Sequence, residues 1–402
     1  MNIIIFDVHH PEDGRINRHI KYMQNLGYNL IHININRYFP FLKTGSFSRN
    51  GEIGYRLCVG DYSHSIKNRI LSQLFFLTPI LAIKLWKFLK NTNFDRESHC
   101  IIHIHDYELL FTGYYLHFFI SKHVKIVYDR HELYETKKGK NRILDKIPRI
   151  YEQLSSRWID GIVGVSHDHI ELLKSQFKRS KIVIVPNYPD TTEYSKIDLE
   201  SKISLLDHNY LKMVYFGSLD VTLDRDIFLI LRVMQVILQQ KKYSEAFIGG
   251  ITSHPNLLSA LSDMVNKYPG RFHFLGHVSY KEVLSYTSQA TIGFLFIKPD
   301  YWVKVSANKV YEYLHYGVIP IIKANIENYE NVSECSLIFS QNTKDEDIVS
   351  SVSDLISEKN RIKRMMSFSY DIGNQYTFDS VKKRYKRLYQ EIYNHGFTQN
   401  SH

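Results

Sequence analysis

Two segments in the second half of the sequence carry residue types that suit phosphate binding. In the first, Gly217 and Ser218 directly follow the apolar run KMVYF, and Arg225 comes a few residues later. A glycine at the end of a strand lets the backbone approach a ligand and offers amide donors to a phosphate, and a guanidinium can hold a diphosphate bidentately. A structural glycine and a solvated arginine would show the same pattern, so both interpretations stay open.

The second segment, YWVKVSANKVYEYLHYGVIPII, carries the strongest chemical signal in the chain. Ser306 or an adjacent residue is expected to cap a helix whose first-turn amides form an anion site. Lys309 and Glu312 lie three residues apart on one face of that helix. Lysine would neutralise phosphate and glutamate would accept hydrogen bonds from ribose hydroxyls, each contact contributing about 1.5 to 3 kcal/mol. The alternative is an ordinary intrahelical Lys–Glu pair, which is a much weaker interaction.

Acid–base side chains follow apolar runs in the first half of the sequence. Asp106 follows CIIHIH, and His131 and Glu132 follow VKIVYDR. Imidazole and carboxylate groups can take the proton of a hydroxyl, which is a poor nucleophile by itself. For His131, a capping or core histidine is the alternative. Other polar or small residues at such positions are His9, His10, Asp13, Gly14, His105 and Ser166.

Several common sites are excluded by spacing. No GxGxxG or GxxxxGK[ST] pattern is present, which argues against a standard dinucleotide site or P-loop. Asp224 and Asp226 stand where a helix is expected to begin, and acidic side chains favour that end of the helix dipole. The 20 histidines include HIH and HDH pairs, but none has zinc-site spacing. We therefore predict no metal site and no cofactor.

The elements that must position these residues form two similar series. Short apolar runs alternate with helix-length amphipathic stretches, as expected for parallel strands covered by helices on both faces. The pattern lapses over residues 188–210 and then resumes, which predicts a domain boundary there. Ligands of such sheets bind beyond the carboxyl ends of the strands, where the residues above stand. The apolar runs are NIIIF, NLIHINI, CIIHIH, VKIVYD, GIVGVS, KIVIVPN, KMVYFG, EAFIGG, FHFLG, TIGFLF, VIPII and SLIFS.

Length and composition agree with two globular domains. The chain has 402 residues, of which 44% are hydrophobic, and this excludes a small module or a disordered protein. Three scattered cysteines favour a reducing compartment, and no signal peptide is recognisable, so we expect a cytosolic protein. The net charge of +10 favours anionic partners. No nucleic-acid-binding motif is present, and none is expected as a partner.

Two basic regions could meet a membrane surface. A helix is predicted over 66–90, where lysines and Arg69 alternate with apolar residues, but Pro79 and the charges argue against a spanning segment. The basic segment Thr136–Arg149 is predicted to be a loop whose cations could meet phospholipid headgroups or a lipid diphosphate. A packed core helix and a solvated face are the alternatives.

Taken together and in order, these motifs resemble the GT-B glycosyltransferases, particularly the retaining family 4 group. The second half contributes the FGSL turn, Arg225, the FLG turn, TIGFLF and the SANKVYEYLHYGVIPII run. The first half contributes HPEDGRINRHIKYMQNLGYNL, IIHIHDYELL, VYDRHELYE, WIDGIVGVSHDHIELL and IVIVPN. The match covers nearly the whole chain.

The resemblance implies an α/β protein with two doubly wound Rossmann-like domains facing each other across a cleft. Residues 1–195 would form the acceptor domain and 196–378 the domain for the nucleotide sugar, with a terminal helix in 379–402 crossing back to the first domain.

The resemblance also implies roles for the site residues. Glu312 would bind the donor ribose, and Arg225 and Lys309 the diphosphate. His131 would face the donor sugar and lead the catalytic candidates, followed by Glu132 and Asp106. The remaining donor-side candidates are Gly217, Ser218, Lys304, Ser306 and Asn308. Lys304 stands where many family members have a second glutamate that contacts the sugar.

The expected activity is transfer of a sugar from a nucleotide diphosphate sugar to a glycan or lipid-linked glycan, in bacterial surface polysaccharide synthesis at the inner face of the cell membrane. A retaining, metal-independent reaction is expected. The alternatives are a nucleotide-sugar 2-epimerase of the same fold and a non-catalytic nucleotide-binding subunit.

Overall fold

The computed structural model divides the chain into two compact units. Unit 1 contains the described residues between 1 and 187 and those from 381 onward, and unit 2 those from 188 to 380. The predicted boundary at 195 and 196 lies just beyond this division. The structure describes residues 1–9, 13–36, 42–49, 52–59, 76–92, 94, 98–120, 123–131, 146–167, 170–194, 197–221, 224–298, 304–305, 308–326 and 329–398.

Unit 1 is built on a sheet of eight strands in the order β3-β4-β2-β1-β5-β6-β7-β8. All neighbouring pairs are parallel except β3 with β4. The central strands are buried throughout, which explains their continuous apolar sequence. The strands are β1 Asn2–Asp7, β2 Asn29–Asn36, β3 Gly45–Arg49, β4 Glu52–Cys58, β5 Cys100–His105, β6 Val124–Arg130, β7 Gly161–Gly164 and β8 Lys181–Ile184.

The sequence analysis predicted parallel strands and did not predict the antiparallel hairpin of β3 and β4. Its register places Phe47 opposite Gly54, and a Cβ at Gly54 would overlap the Phe47 ring. The hairpin adds an antiparallel edge to the sheet, so the sheet of unit 1 is mixed at this end.

The first helix of unit 1 begins at a side-chain cap. The Asp13 side chain accepts hydrogen bonds from the amides of Arg15 and Ile16 and starts α1, and Gly27 at φ 76° follows its end. The helices are α1 Gly14–Asn25, α2 Ile80–Lys90, α3 Leu110–Ile120, α4 Ile147–Ser155 and α5 Ile170–Gln176.

Within the described residues, the helix predicted over 66–90 is interrupted at residues 77–79. The helix that follows begins at Ile80, because Pro79 has no amide proton and fits only the start of a helix. Residues 66–75, like the predicted loop residues 136–145, lie outside the described part of the chain. No described helix is both long and apolar enough to cross a bilayer.

Unit 2 contains a wholly parallel sheet of six strands in the order β11-β10-β9-β12-β14-β16. A separate pair, β13 with β15, is also parallel. The strands are β9 Lys212–Phe216, β10 Glu245–Gly249, β11 Phe272–Phe274, β12 Ile292–Phe296, β13 Lys304–Val305, β14 Ile319–Lys323, β15 Asn325–Ile326 and β16 Leu337–Phe339.

The helices of unit 2 follow the predicted series with shifted ends. The helix expected from Asp224 begins at Ile227, because the Asp226 side chain caps it by accepting from the Leu229 amide. The helices are α6 Leu199–Ser204, α7 Ile227–Gln240, α8 Pro255–Lys267, α9 Tyr280–Gln289, α10 Asn308–His315, α11 Tyr329–Val332, α12 Asp345–Ser357, α13 Lys359–Gly373 and α14 Phe378–Val381, followed by α15 Lys383–Thr398, which belongs to unit 1.

Apolar cores lie against each sheet. In unit 1, Ile4, Phe6 and Ile102 are fully buried in one cluster with residues of the flanking helices. In unit 2, Met213 and Phe294 lie in a second cluster with α7 and α12. Burial of this apolar surface leaves the carboxyl ends of the strands as the places where polar side chains gather.

Candidate active site

Both candidate sites lie where the strand order reverses. In unit 1 the sheet runs outward in opposite directions from β1 and β5, and in unit 2 from β9 and β12. His9 and Asp106 follow β1 and β5, and Gly217 and Lys298 follow β9 and β12. In open α/β sheets this reversal opens a crevice at the carboxyl ends of the strands, which is the usual ligand position.

In unit 1, His9 joins two of the predicted catalytic residues. Its Nε2 forms an ion pair with the Asp106 carboxylate, and its ring stacks on that of His131 with centroids 4.9 Å apart. Burial opposes the charge of His9, but Asp106 and the nearby Asp13 and Asp7 together raise its pKa to about 10. His9 is therefore a cation beside His131. The predicted candidate Glu132 lies outside the described residues.

The backbone of Asp106 is strained. Its φ of 78° lies in the left-handed region that non-glycine residues seldom occupy. The residue directly follows β5 and precedes the 3₁₀ helix Tyr107–Leu109, and its carboxylate bonds to His9. Strain of this kind costs about 1 to 3 kcal/mol and concentrates at functional sites, which supports the candidate role of Asp106.

Asp129 is a central residue of this cluster that the sequence analysis missed. It is fully buried, and Arg15 Nη2 donates to its Oδ1 at 2.8 Å while the Tyr385 hydroxyl donates to its Oδ2 at 3.2 Å. Although burial opposes ionisation, Arg15 holds the pKa of Asp129 well below its ordinary value. Asp129 precedes His131 by two residues in an extended segment, and this alternation could have revealed that both side chains lie on one face.

Three further buried histidines extend the cluster away from His131. His131 Nε2 lies 2.8 Å from His105 Nδ1, and His105 Nε2 lies 3.3 Å from His19 Nδ1. The Tyr389 hydroxyl lies 2.9 Å from His19 Nε2 and 2.8 Å from His103 Nδ1. We call His131, His105, His19, Tyr389 and His103 the histidine chain.

Burial keeps the imidazoles of the histidine chain neutral. It is the largest influence on the pKa of His19, His103, His105 and His131, and it lowers all four despite the attraction of Asp129. The charge in this part of unit 1 therefore belongs to Asp129 and Arg15 and to the pair of His9 with Asp106.

Three sets of side chains are close enough to be considered for a metal, with ligand atoms within 4.8 Å of one another: His19–His103–His105, His9–Asp106–His131 and His105–Asp129–His131. In the first, hydrogen bonds already engage both nitrogens of His19. In the second, the rings of His9 and His131 are stacked at 21°, so their nitrogens do not converge on one point. In the third, His131 bonds to His105. Hydrogen bonding therefore accounts for these contacts better than coordination, and the absence of a metal site stays a prediction.

In unit 2, two predicted cations lie close to each other. Arg225 Nη1 forms an ion pair with Asp224 at 2.6 Å, and Lys309 Nζ lies 4.7 Å from the centre of the Tyr215 ring. Burial, followed by repulsion from Arg225, lowers the pKa of Lys309 to about 8. Among the described residues no carboxylate lies in ion-pair range of Lys309. An anion placed here would relieve the repulsion between the two cations.

Gly217 makes room for the lysine rather than offering its amide. Its amide donates to the Gly249 carbonyl at 3.0 Å, so the expected backbone donor to phosphate is already engaged. A Cβ at Gly217, whose φ is 149°, would overlap Lys309 Nζ. The Ser218 carbonyl accepts from the Tyr215 hydroxyl at 3.0 Å, which fixes the turn after β9.

Glu312 stands one turn beyond Lys309 on α10, as the spacing predicted. Its Oε1 accepts a hydrogen bond from the Tyr280 hydroxyl at 3.0 Å. The Tyr194 hydroxyl oxygen lies 3.4 Å from the Tyr280 hydroxyl oxygen. The sequence analysis did not anticipate these tyrosines, which come from α9 and from the start of unit 2.

The other donor-side candidates are placed only in part. Asn308 is the first residue of α10, and the predicted cap Ser306 lies outside the described residues. Lys304 begins β13, where its backbone pairs with Asn325.

Comparison with known proteins identifies the fold. Residues 44–193 match the model of Glycosyltransferase Family 4. Sucrose-phosphate synthase from Thermosynechococcus elongatus superposes with a TM-score of 0.72 at 12% identity, covering 98% of this chain and 99% of that chain. HepE from Anabaena in complex with UDP-glucose gives 0.66 at 12%, covering 97% and 100%. A trehalose-6-phosphate synthase studied for glycosyl transfer with retention gives 0.66 at 11%, covering 96% and 99%.

The chain has the GT-B glycosyltransferase fold. The predicted α/β fold class with two doubly wound domains and the resemblance to GT-B glycosyltransferases are thereby confirmed. The family match includes Asp106, Asp129 and His131 of this GT-B chain, whereas Gly217 and the residues of α10 lie beyond it. A search of curated proteins finds no significant sequence match.

Proposed function

We propose that the protein transfers a sugar from a nucleotide diphosphate sugar to a glycan or lipid-linked glycan acceptor. The observation that carries this proposal is the convergence of Arg225 and Lys309 at the strand reversal of unit 2, with Gly217 leaving the space that the lysine occupies. Two cations held in a partly buried position suit a diphosphate, because the ligand supplies the negative charge that no described carboxylate brings into ion-pair range of Lys309.

In the proposed donor site, Arg225 and Lys309 bind the diphosphate and Glu312 accepts hydrogen bonds from the ribose. Tyr280, which donates to one oxygen of Glu312, orients that carboxylate for the ribose. Asn308 is the first residue of α10, where helix amides favour an anion, and Ser306 is assigned to the same anion site. Ser218 adds a backbone donor, and Lys304 takes part in sugar recognition.

The proposed reaction retains the anomeric configuration and needs no metal. Departure of the nucleoside diphosphate builds negative charge, which Arg225 and Lys309 stabilise. His131, which directly follows β6, faces the donor sugar and is the first catalytic candidate. Asp106 and Glu132 are the other two catalytic candidates. The neighbour whose study concerns glycosyl transfer with retention supports this choice of stereochemistry.

We further propose that unit 1 approaches an anionic membrane, in bacterial surface polysaccharide synthesis at the cytosolic face. On α2, Ile80 and Ile83 are exposed beside Lys84 and Lys87, and α3 contacts both α2 and α4. On α4, exposed Ile150 and Leu154 stand beside Arg149 and Arg157. Apolar side chains among cations are typical of an interfacial surface.

The first experiment measures nucleoside diphosphate release from UDP-, GDP-, ADP- and dTDP-sugars, with and without bacterial lipid extract. UDP-glucose comes first because HepE binds it. Release that depends on one donor and increases with extract supports a transferase with a lipid-fraction acceptor. An epimerase would also convert the sugar without any acceptor, and a binding-only subunit would be stabilised by one nucleotide without release.

Glu312→Ala tests the donor site. The substitution removes the ribose acceptor, and we expect nucleotide affinity to fall by about 10- to 100-fold, measured by calorimetry. Glu346→Ala, which removes an exposed glutamate of α12 in the same unit, is the matched control. Equal affinity in the Glu312→Ala and Glu346→Ala proteins would contradict the assignment.

A further inference from the structure

A continuous series of polar atoms connects Asp129 to His131 through the interior of unit 1. His103 Nε2 lies 3.6 Å from Asp129 Oδ2, and the histidine chain leads from His103 to Tyr389 and onward through His19 and His105. Each neutral imidazole has one protonated and one unprotonated nitrogen. Fixing the proton of one ring therefore fixes the proton of the next.

The direction of the hydrogen bonds starts at His103. Its Nε2 faces the carboxylate of Asp129, where a proton is favoured and a lone pair is repelled. His103 Nδ1 is then unprotonated and accepts from the Tyr389 hydroxyl at 2.8 Å. Because the Tyr389 proton is used in this bond, its oxygen accepts from His19 Nε2 at 2.9 Å.

The same logic carries the direction to His131. With its proton on Nε2, His19 accepts at Nδ1 from His105 Nε2, 3.3 Å away. His105 Nδ1 then accepts from His131 Nε2 at 2.8 Å. His131 is left with an unprotonated Nδ1, for which no hydrogen-bond partner is found among the described residues.

The opposite direction is disfavoured by the charge of Asp129. Three ring nitrogens lie near its oxygens: His103 Nε2 at 3.6 Å, His105 Nδ1 at 3.6 Å and His131 Nε2 at 3.7 Å. The direction above places two N–H groups and one lone pair near the carboxylate. Reversal would place two lone pairs and one N–H there.

We propose that Tyr389 is a positioning residue, whose hydroxyl fixes His131 as the Nε2–H tautomer through His19 and His105. His131 then presents Nδ1 to a substrate hydroxyl as a hydrogen-bond acceptor. This substrate contact rests on the proposed function, whereas the tautomer does not. Tyr389 lies on α15, so a helix 258 residues after His131 in sequence sets the proton position at the proposed active site.

The test is the tautomer of His131, measured by long-range proton–nitrogen NMR of protein labelled with ¹⁵N-histidine. His131→Gln assigns the signal by its disappearance. We expect the wild-type signal to show a proton on Nε2 and none on Nδ1. A proton on Nδ1 in the wild-type protein would overturn the proposal, and this result needs no variant that might misfold.

Tyr389→Phe removes the hydroxyl, which both donates and accepts, and we expect its His131 signal to shift towards a mixture of tautomers. Tyr393→Phe is the matched control, because Tyr393 lies one turn further on α15 and its hydroxyl donates to the Cys100 carbonyl at 2.7 Å, outside the histidine chain. The same His131 spectrum in both variants would also overturn the proposal. A correct tautomer in a protein that transfers no sugar would instead count against the proposed function.

Discussion

The two units treat their charged side chains differently. In unit 1, Asp129 is fully buried and is neutralised within the protein by Arg15, with Tyr385 and the histidine chain around it. In unit 2, burial and then repulsion from Arg225 lower the pKa of Lys309, and among the described residues Lys309 has no carboxylate in ion-pair range. We infer that hydrogen bonds inside unit 1 fix the positions of its histidine protons. In unit 2, we infer that an anionic ligand neutralises the positive charge of Lys309.

The largest expected effect comes from breaking the internal neutralisation in unit 1. Asp129→Asn leaves the Arg15 guanidinium buried without its counter-charge, and we expect a loss of about 3 to 5 kcal/mol in the free energy of unfolding. Chemical denaturation monitored by circular dichroism measures this loss.

Asp224→Asn provides the matched change in unit 2. Its ion pair with Arg225 is partly exposed, and we expect a loss below about 1 kcal/mol. Similar losses of unfolding free energy in Asp129→Asn and Asp224→Asn would contradict the view that the two units differ in how deeply their charges are buried.

Much of the fold could be predicted from the sequence, because the central strands are buried on both faces and so appear as continuous apolar runs. The hairpin of β3 and β4 could not, since GSFSR has one large apolar residue and resembles a loop. The break before α2 was not predicted although Pro79 marks it, because the apolar residues on both sides of the proline suggested one continuous helix.

The placement of Lys309 and Glu312 on one helix face could be predicted, because both lie on one short helix, where spacing alone defines a face. The histidine chain could not, because its members come from α1, β5, the residue after β6 and α15. Spacing within a segment says nothing about which tyrosine of a distant helix meets which histidine.

Removing Lys309 tests whether the cations of unit 2 bind an anionic ligand. We expect Lys309→Ala to weaken nucleoside diphosphate binding by about 10- to 100-fold, because one charge-assisted contact is lost. Lys267→Ala, an exposed lysine of α8, is the control and is expected to bind as the wild-type protein does. Calorimetry at neutral pH measures both.

The pH dependence of the same binding tests the charge itself. A bound diphosphate favours the protonated lysine and raises its pKa above about 8, so binding takes up a proton at higher pH. Affinity should be level below this pKa and fall above it, by up to about tenfold per pH unit. Lys309→Arg keeps its charge and should remove this fall. A wild-type affinity that stays level through pH 9 would contradict a role for Lys309 in binding the diphosphate.

The smallest expected effect separates backbone strain from displacement of the lysine. Gly217→Ala places a Cβ against Lys309 Nζ, and we expect nucleotide affinity to fall several-fold because the amine must move. Gly270→Ala is the matched control: Gly270 also has a positive φ, 69°, but a Cβ there would meet nothing within 4 Å. Both substitutions strain the backbone by about 1 kcal/mol or more, so both should lower the melting temperature. Only Gly217→Ala should weaken binding, and equal affinities in the two variants would mean that Lys309 has room to move without losing its contact with the ligand.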